Sequence, residues 1–301
     1  DYHSDLDTTF NELTNLMKRI NHFAWDASLL SEVDSIWING FEDMETIVDM
    51  ATQSLHHYGF AFLRNFCLDD KESTAARLTM LGQNLGTIVS QSSRGEHVED
   101  VRDFSDVETE DKRGYRSTGE LTPHSDPPTL IALHCLQPAM TGGESYLVNV
   151  RSIHDHIATT DQALLEELYK PFPHWRVEGS HGIAEAGPYE TERPVFCENN
   201  GRVSSVYYRP FIELSAQTQQ IELSETQIAA LDLFDHFSRS DELALRTTLQ
   251  KGETIIVHNR SVLHARTDYQ DWPNAQDRRH LLRLWIDAPE RFPVHPQHEL
   301  G

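Results

Sequence analysis

The sequence predicts a mostly β protein, a sandwich or open barrel of strands braced by flanking helices. Three features carry that prediction. Apolar residues recur at helical spacing over much of residues 1–92, short β-rich runs and turns follow from about Val98, and helical stretches interrupt them at about 150–170 and 224–248. Helices first and then many strands argue for a β-sandwich or open barrel braced by helices. The 301 residues contain no internal repeat and no low-complexity linker, so one domain is expected over 1–301. A helical region with the first strand occupies 1–92 and the β core 93–301.

The elements follow in order. Phe10, Leu13, Leu16, Met17 and Ile20 lie on one helical face, the pattern of an N-terminal amphipathic helix. A second helix through the forties and fifties (MATQSLHHY) stops at Gly59, and FAFLRNF reads as a buried strand. KESTAARLTMLGQNLG is a third helix, with Ala76, Met80 and Leu81 inward and Gly86 as its stop. Ser93–Gly119, rich in charge and glycine, reads as a long loop. LIALHCL and SYLVNV are strands parted by the turn Thr141-Gly142-Gly143. VRSIHDHI and QALLEELYK return to helix, and Asn200-Gly201 between β-rich runs marks a hairpin. Ser224 with Gln227 is a capping-box signature before another helix. ETIIVHN and HLLRLWI close the chain with strands.

Composition narrows the partners. Asp+Glu outnumber Lys+Arg by 48 to 25, a formal charge of −23. A field of that sign repels phosphates, which argues against nucleic acid or an anionic membrane and leaves a small-molecule partner. Only five of the basic residues are lysine, so anions will be met by the planar fork of arginine. Cys67, Cys135 and Cys197 are odd in number and form no CxxC, as expected of a reducing compartment. No apolar run approaches the roughly 18 residues of a membrane span, and DYHSDLDTTF has no signal-peptide pattern. A cytoplasmic protein is the expectation.

Three segments carry chemistry. In His124-Ser125-Asp126, residues i and i+2 of a strand would point an imidazole and a carboxylate at one place. With 17 histidines in the chain such pairs also arise by chance, and His154-Asp155-His156 falls in a helical stretch where neighbours diverge. His264, on a later strand in KGETIIVHNRSVLHART, would complete a two-His, one-carboxylate face of the kind that binds non-haem Fe(II). A buried core histidine is the alternative there, and the preferred reading of His258. In RRHLLRLW, strand alternation puts Arg279, Leu281 and Arg283 on one face and His280, Leu282 and Leu284 on the other. Inward arginines are costly unless anions meet them.

The blocks HSD, GGES, HNRSVLHART and RRHLLRLW, in that order, resemble the taurine dioxygenase and clavaminate synthase-like family of Fe(II)/2-oxoglutarate dioxygenases. The likeness runs from YGFAFLRNF to RLWID. It implies a distorted double-stranded β-helix (a jelly-roll) with His124, Asp126 and His264 as iron ligands. It implies Arg279 and the Ser145 hydroxyl as holders of 2-oxoglutarate, Ser145 standing where many relatives carry Thr, with O2 as the other cosubstrate. Arg283 matches the second arginine of RxxxR and would meet an anionic group of the substrate. Asp126 favours hydroxylation, desaturation or ring closure, because halogenating relatives carry a small residue there. Tyr207, Arg209 and Arg116 are further substrate candidates, with a packed aromatic and an exposed arginine as the alternative. The expected substrate bears a carboxylate and resembles an amino acid. The rivals are another metal-dependent enzyme on the same barrel and a non-catalytic 2-oxoglutarate or iron binder; succinate release separates them.

Overall fold

The computed structural model describes residues 24–32, 36–91, 95–104, 116–175 and 190–299. The helix expected over Phe10 to Ile20 and much of the Ser93–Gly119 loop lie outside these residues. Two β-sheets face each other. The larger runs in the order Trp37–Asn39, Phe60–Arg64, Thr254–His258, Leu130–Gln137, His280–Asp287, Thr87–Val89, with Val98–Val101 also paired to His280–Asp287. The smaller runs Ala244–Thr247, Ser145–Asn149, Val262–Arg266, Leu121–His124. This is the distorted double-stranded β-helix.

Side-chain alternation divides the apolar residues among three layers. Phe60, Phe62, Ile255, Val257, Leu281 and Trp285 from one sheet meet Leu147, Leu245 and Val262 from the other in the space between the sheets. Their neighbours Ala61, Leu63, Ile256, Leu282 and Leu284 face outward under the helices Met44–Tyr58 and Lys71–Leu85. Tyr146, Val148, Leu263 and Ala265 face the other way, under the helices Val150–Thr160 and Glu225–Ser238. The expected division of RRHLLRLW therefore holds: Leu281 lies on the inner face, Leu282 and Leu284 on the outer.

Local chemistry sets the boundaries. Asp43 caps the first of these helices and Gly59 ends it in the left-handed region at φ 79°. Asn200 and Gly201 both take positive φ, 52° and 78°, as a two-residue hairpin turn requires. Ser224 and Gln227 form the complete capping box.

Four details differ from expectation, the first being strand Val98–Val101 within the stretch expected as a loop. Helix Lys71–Leu85 buries Thr74, Leu78, Leu81, Gly82 and Leu85, while Ala76 and Met80 face out. Gly82 sets this rotation: a Cβ there would collide with Leu284, so the glycine face approaches the sheet most closely. The stretch expected as helix over 224–248 ends at Ser238, and Ala244–Thr247 is a strand paired to Ser145–Val148. Alternating burial, with Ala244 under the helices and Leu245 between the sheets, outweighs helix propensity there. Arg209–Gln219 is a further helix, opened by Pro210 in its first turn. Among the described residues no helix is long and apolar enough to cross a membrane.

Away from the His124–His264 pair, His134 and His298 are buried as neutral rings. His134 shares a 2.8 Å hydrogen bond with Thr254 Oγ1, and burial pushes its pKa down to about 4. His298 lies between Ser204 Oγ (2.8 Å) and the Pro194 carbonyl (3.0 Å), and burial pushes it down to about 3. The unfolded chain takes up these protons near 6.5, so the native state loses stability as pH falls below 6.5 toward the folded values. Thermal midpoints should fall steadily from about pH 7 to about pH 5, and His134→Gln should flatten that slope. A midpoint constant across the interval would contradict this account.

Candidate active site

His264 sits in strand Val262–Arg266 between Leu263 and Ala265, which face the helices, so its ring points between the sheets. It pairs in register with His124, the last residue of the neighbouring strand Leu121–His124. That strand lies at the sheet edge, where Pro123 costs no ladder hydrogen bond. The sequence placed Asp126 on the same strand as His124. Instead the strand ends at His124 and Asp126 lies in the turn beyond, ahead of Pro127 and Pro128, which cannot continue a ladder.

Donor atoms of His124, Asp126 and His264 all lie within 4.8 Å of one another. His124 Nε2 is 3.8 Å from Asp126 Oδ1 and His264 Nε2 is 3.7 Å from Oδ2. Nδ1 of His124 donates to the Thr122 carbonyl at 2.8 Å, which fixes the tautomer and leaves Nε2 as a lone-pair donor. Burial, with the nearby His124, pushes His264 down to about 3 and keeps it neutral. Burial alone would raise the Asp126 pKa, but Arg283, the two imidazoles and the Trp285 indole N–H hold it below its ordinary value. Two imidazoles and one carboxylate, converging on one place, suit a borderline divalent metal such as Fe(II).

A main-chain clamp holds the Asp126 turn. The Asn259 side chain accepts from Asp126 N at 3.2 Å and donates to the Pro128 carbonyl at 2.9 Å. Arg260 donates to the carbonyls of Asp126 (2.9 Å), Pro127 and, from Nε, His298 (3.0 Å). Both clamp residues lie in the short turn between strands Thr254–His258 and Val262–Arg266, just ahead of His264, so one segment supports the carboxylate and supplies the second imidazole. Ser125 exchanges hydrogen bonds with the Tyr207 backbone, N to O at 2.9 Å and Tyr207 N to Oγ at 3.0 Å.

The remaining candidates divide. Arg279 is 4% exposed, lies over the Tyr269 ring at 5.1 Å, and has Nη1 buried without a hydrogen-bond partner among the described residues. Ser145 is buried on the inner face, opposite Arg266 in register. Gly143, at φ 69°, closes over Arg279: a Cβ would stand 3.3 Å from its Nε. Arg283 Nη1 is 3.8 Å from Asp126 Oδ2, and its Nε donates to Gln91 Oε1 at 2.6 Å. Arg116 pairs loosely with Glu99 (3.7 Å), which faces Arg283 across the sheet.

Tyr207 and Arg209 are not brought to this cluster. The Tyr207 ring is buried against Phe234 and its hydroxyl donates to Asp235 at 2.5 Å. Arg209 opens a helix and pairs with Glu213, Asp232 and Asp235. Adjacent residues of an extended segment face opposite ways, and Tyr208 is the one turned to the site, its ring 5.4 Å from that of His124. Pro210, as a helix-start signal, could have shown this. Gln91 and Trp285 were also missed; Gln91 meets Arg283 across most of the chain, and no local pattern marks it.

A double-stranded β-helix with two imidazoles and one carboxylate between its sheets defines the class of mononuclear facial-triad proteins. Within that class, the chain belongs to the family described as taurine catabolism dioxygenase TauD, TfdA family, whose sequence model matches residues 35–285. It is similar to FR-33289 synthase of Streptomyces rubellomurinus, 29% identical over 257 residues, which are 82% of this chain and 75% of that protein. Dioxygenase str8 of Strobilurus tenacellus is 22% identical over 279 residues, 89% of this chain and 62% of that one. Among solved structures, an asparagine oxygenase in complex with Fe(II), 2S,3S-3-hydroxyasparagine and succinate matches with TM-score 0.58 and 19% identity, over 79% of this chain and 83% of that one. The non-heme iron oxygenase OrfP in complex with Fe and L-Arg matches with TM-score 0.59 and 14% identity, over 96% and 94%. Those two establish a shared fold.

Arg260→Met removes every donor to the Asp126 and Pro127 carbonyls while keeping the stem. Binding of Co(II), a redox-stable probe, should weaken by about tenfold or more, the usual effect of losing a group that orients a metal ligand. An unchanged Co(II) affinity would show that the turn holds its shape without Arg260.

Proposed function

We propose that this chain is an Fe(II)- and 2-oxoglutarate-dependent oxygenase that oxidises an unactivated C–H bond of a small, carboxylate-bearing, amino-acid-like molecule, releasing succinate and CO2. One juxtaposition carries the reading. The His124, Asp126 and His264 cluster lies on the smaller sheet and the turn beyond it, and Arg279, just before a strand of the larger sheet, keeps a buried Nη1 without a partner among the described residues, so a metal and a bound anion would each meet what they need. In this reading the three residues hold the iron, and Arg279 with Ser145 holds the distal carboxylate of 2-oxoglutarate. The bound metal and cosubstrate, with O2, supply the oxidising chemistry.

The chain supplies position and dryness. Trp285 fixes one Asp126 oxygen through a 3.2 Å N–H bond, and Tyr208 covers the His124 side. Arg283 and Arg116 would meet the substrate's anionic group, and Asp126 favours hydroxylation, desaturation or ring closure over halogenation. The amino-acid ligands of the two similar solved structures support this substrate class. We read 1–301 as one catalytic domain. The three buried, free cysteines support a reducing, cytoplasmic setting.

Under anaerobic conditions, Fe(II) plus 2-oxoglutarate should give a weak visible charge-transfer band, and aerobic screening of amino-acid-like compounds should release succinate. His264→Ala should abolish both, and normal turnover in that variant would overturn the ligand assignment. Arg279→Leu leaves a buried carboxylate unmatched, a loss of about 3 kcal/mol or roughly a hundredfold in 2-oxoglutarate affinity, with metal binding retained. An unchanged affinity would overturn the assignment of Arg279.

A further inference from the structure

The anion pocket contains a second arginine that RxxxR does not include. Arg266 lies two residues beyond His264 on the same strand, so alternation turns it to the same inner face, and it stands opposite Ser145 in register. Its guanidinium lies 4.9 Å from the centre of the Tyr269 ring, against 5.1 Å for Arg279, so one aromatic ring carries both cations. Each of the two arginines is only 4% exposed.

Their hydrogen bonds are incomplete. Arg266 Nη2 donates to the carbonyls of Ser117 (2.9 Å) and Gly119, but its Nε and Nη1 are buried without a partner among the described residues, as is Nη1 of Arg279. Asp271 is a nearby carboxylate: one of its oxygens accepts from the Arg279 backbone N–H at 2.6 Å, and its charge offsets part of that of Arg279 alone. Burial, together with the charge of Arg279, pushes Arg266 down to about 10. Two like charges, desolvated side by side with unmatched donors, destabilise a fold unless an anion joins them. Arg283, the other inward arginine of RxxxR, is already matched by Gln91 and Asp126. The charge deficit therefore lies at Arg266 and Arg279, beside Ser145 and under Gly143.

We propose that Arg266 is a second grip on the distal carboxylate in the Arg279 pocket, so that two guanidinium groups close on one anion and select a dicarboxylate cosubstrate. This rests on the oxygenase reading above and adds a specificity determinant to it. A charge-assisted contact from each side would fix the far end of 2-oxoglutarate in orientation as well as in affinity.

The test compares two ligands by anaerobic calorimetry on the Fe(II)-loaded protein: 2-oxoglutarate, and 2-oxopentanoate, which has a methyl in place of the distal carboxylate. Arg266→Gln should weaken 2-oxoglutarate by about tenfold to a hundredfold and leave 2-oxopentanoate within about twofold. Arg266→Lys, which keeps the charge but not the fork, should show a smaller loss confined to 2-oxoglutarate. If Arg266 only braces the Ser117 and Gly119 carbonyls, both ligands will weaken alike, and that result, or no change in 2-oxoglutarate affinity, overturns the proposal. Should Arg266→Gln fail to fold, the Arg266→Lys comparison decides by the same criterion. Arg279→Leu is measured in parallel: loss there with an intact Arg266→Gln defeats this inference alone, whereas no loss in Arg279→Leu defeats the cosubstrate reading beneath it.

Discussion

A single buried carboxylate organises the electrostatics between the sheets. Asp126 lies within reach of two imidazoles, the Arg283 guanidinium and the Trp285 indole N–H, and these hold it ionised against the cost of burial. An isolated charge at that depth would neutralise or reorganise its surroundings. Here each neighbour reduces the desolvation cost, and each is itself turned inward by the alternation of a strand or by the end of one. Removing Asp126 would therefore alter more than a donor set, because Arg283 would lose the charge that balances it.

The carboxylate is positioned mainly through its backbone. Pro127 and Pro128 cannot donate, so the turn after the edge strand leaves main-chain carbonyls exposed to other partners. Asn259 and Arg260 take those carbonyls, and Asn259 takes the Asp126 N–H as well. The clamp begins a few residues before His264, so the spacing between the carboxylate and the second imidazole is governed by one short turn that crosses from the larger sheet to the smaller. Arg260 also reaches His298, which ties the C-terminal segment to the same turn.

Arginine does two different kinds of work on the inner face. Arg283 completes an internal pair and so contributes to the architecture of the metal cluster. Arg279 and Arg266 share an aromatic ring and keep donors unmatched, which is the condition of groups built to receive something. The acidic surface gives no help in drawing an anion in, so affinity must come from local geometry rather than long-range attraction.

Much of this was legible in the chain itself, because periodicity and capping are local. Alternation in HLLRLWI separated Leu281 from Leu282, Asn200-Gly201 announced its hairpin, and Ser224 with Gln227 announced its helix. The ordered blocks around His124, Ser145, His264 and Arg279 identified the family. Other features depended on contacts between distant segments. Met80 turns outward because Gly82 approaches Leu284, and Ala244–Thr247 becomes a strand because Ser145–Val148 offers it a partner. Tyr208 rather than Tyr207 faces His124 because Tyr207 is drawn into the helical layer by Phe234 and Asp235. Which arginine has its charge met and which does not is likewise a matter of long-range neighbours. Gln91 completes Arg283 from far along the sequence, and Tyr269 brings Arg266 beside Arg279. Local patterns are written in neighbouring residues, whereas the balance of buried charge is a property of the packed molecule and exists only once the sheets have closed.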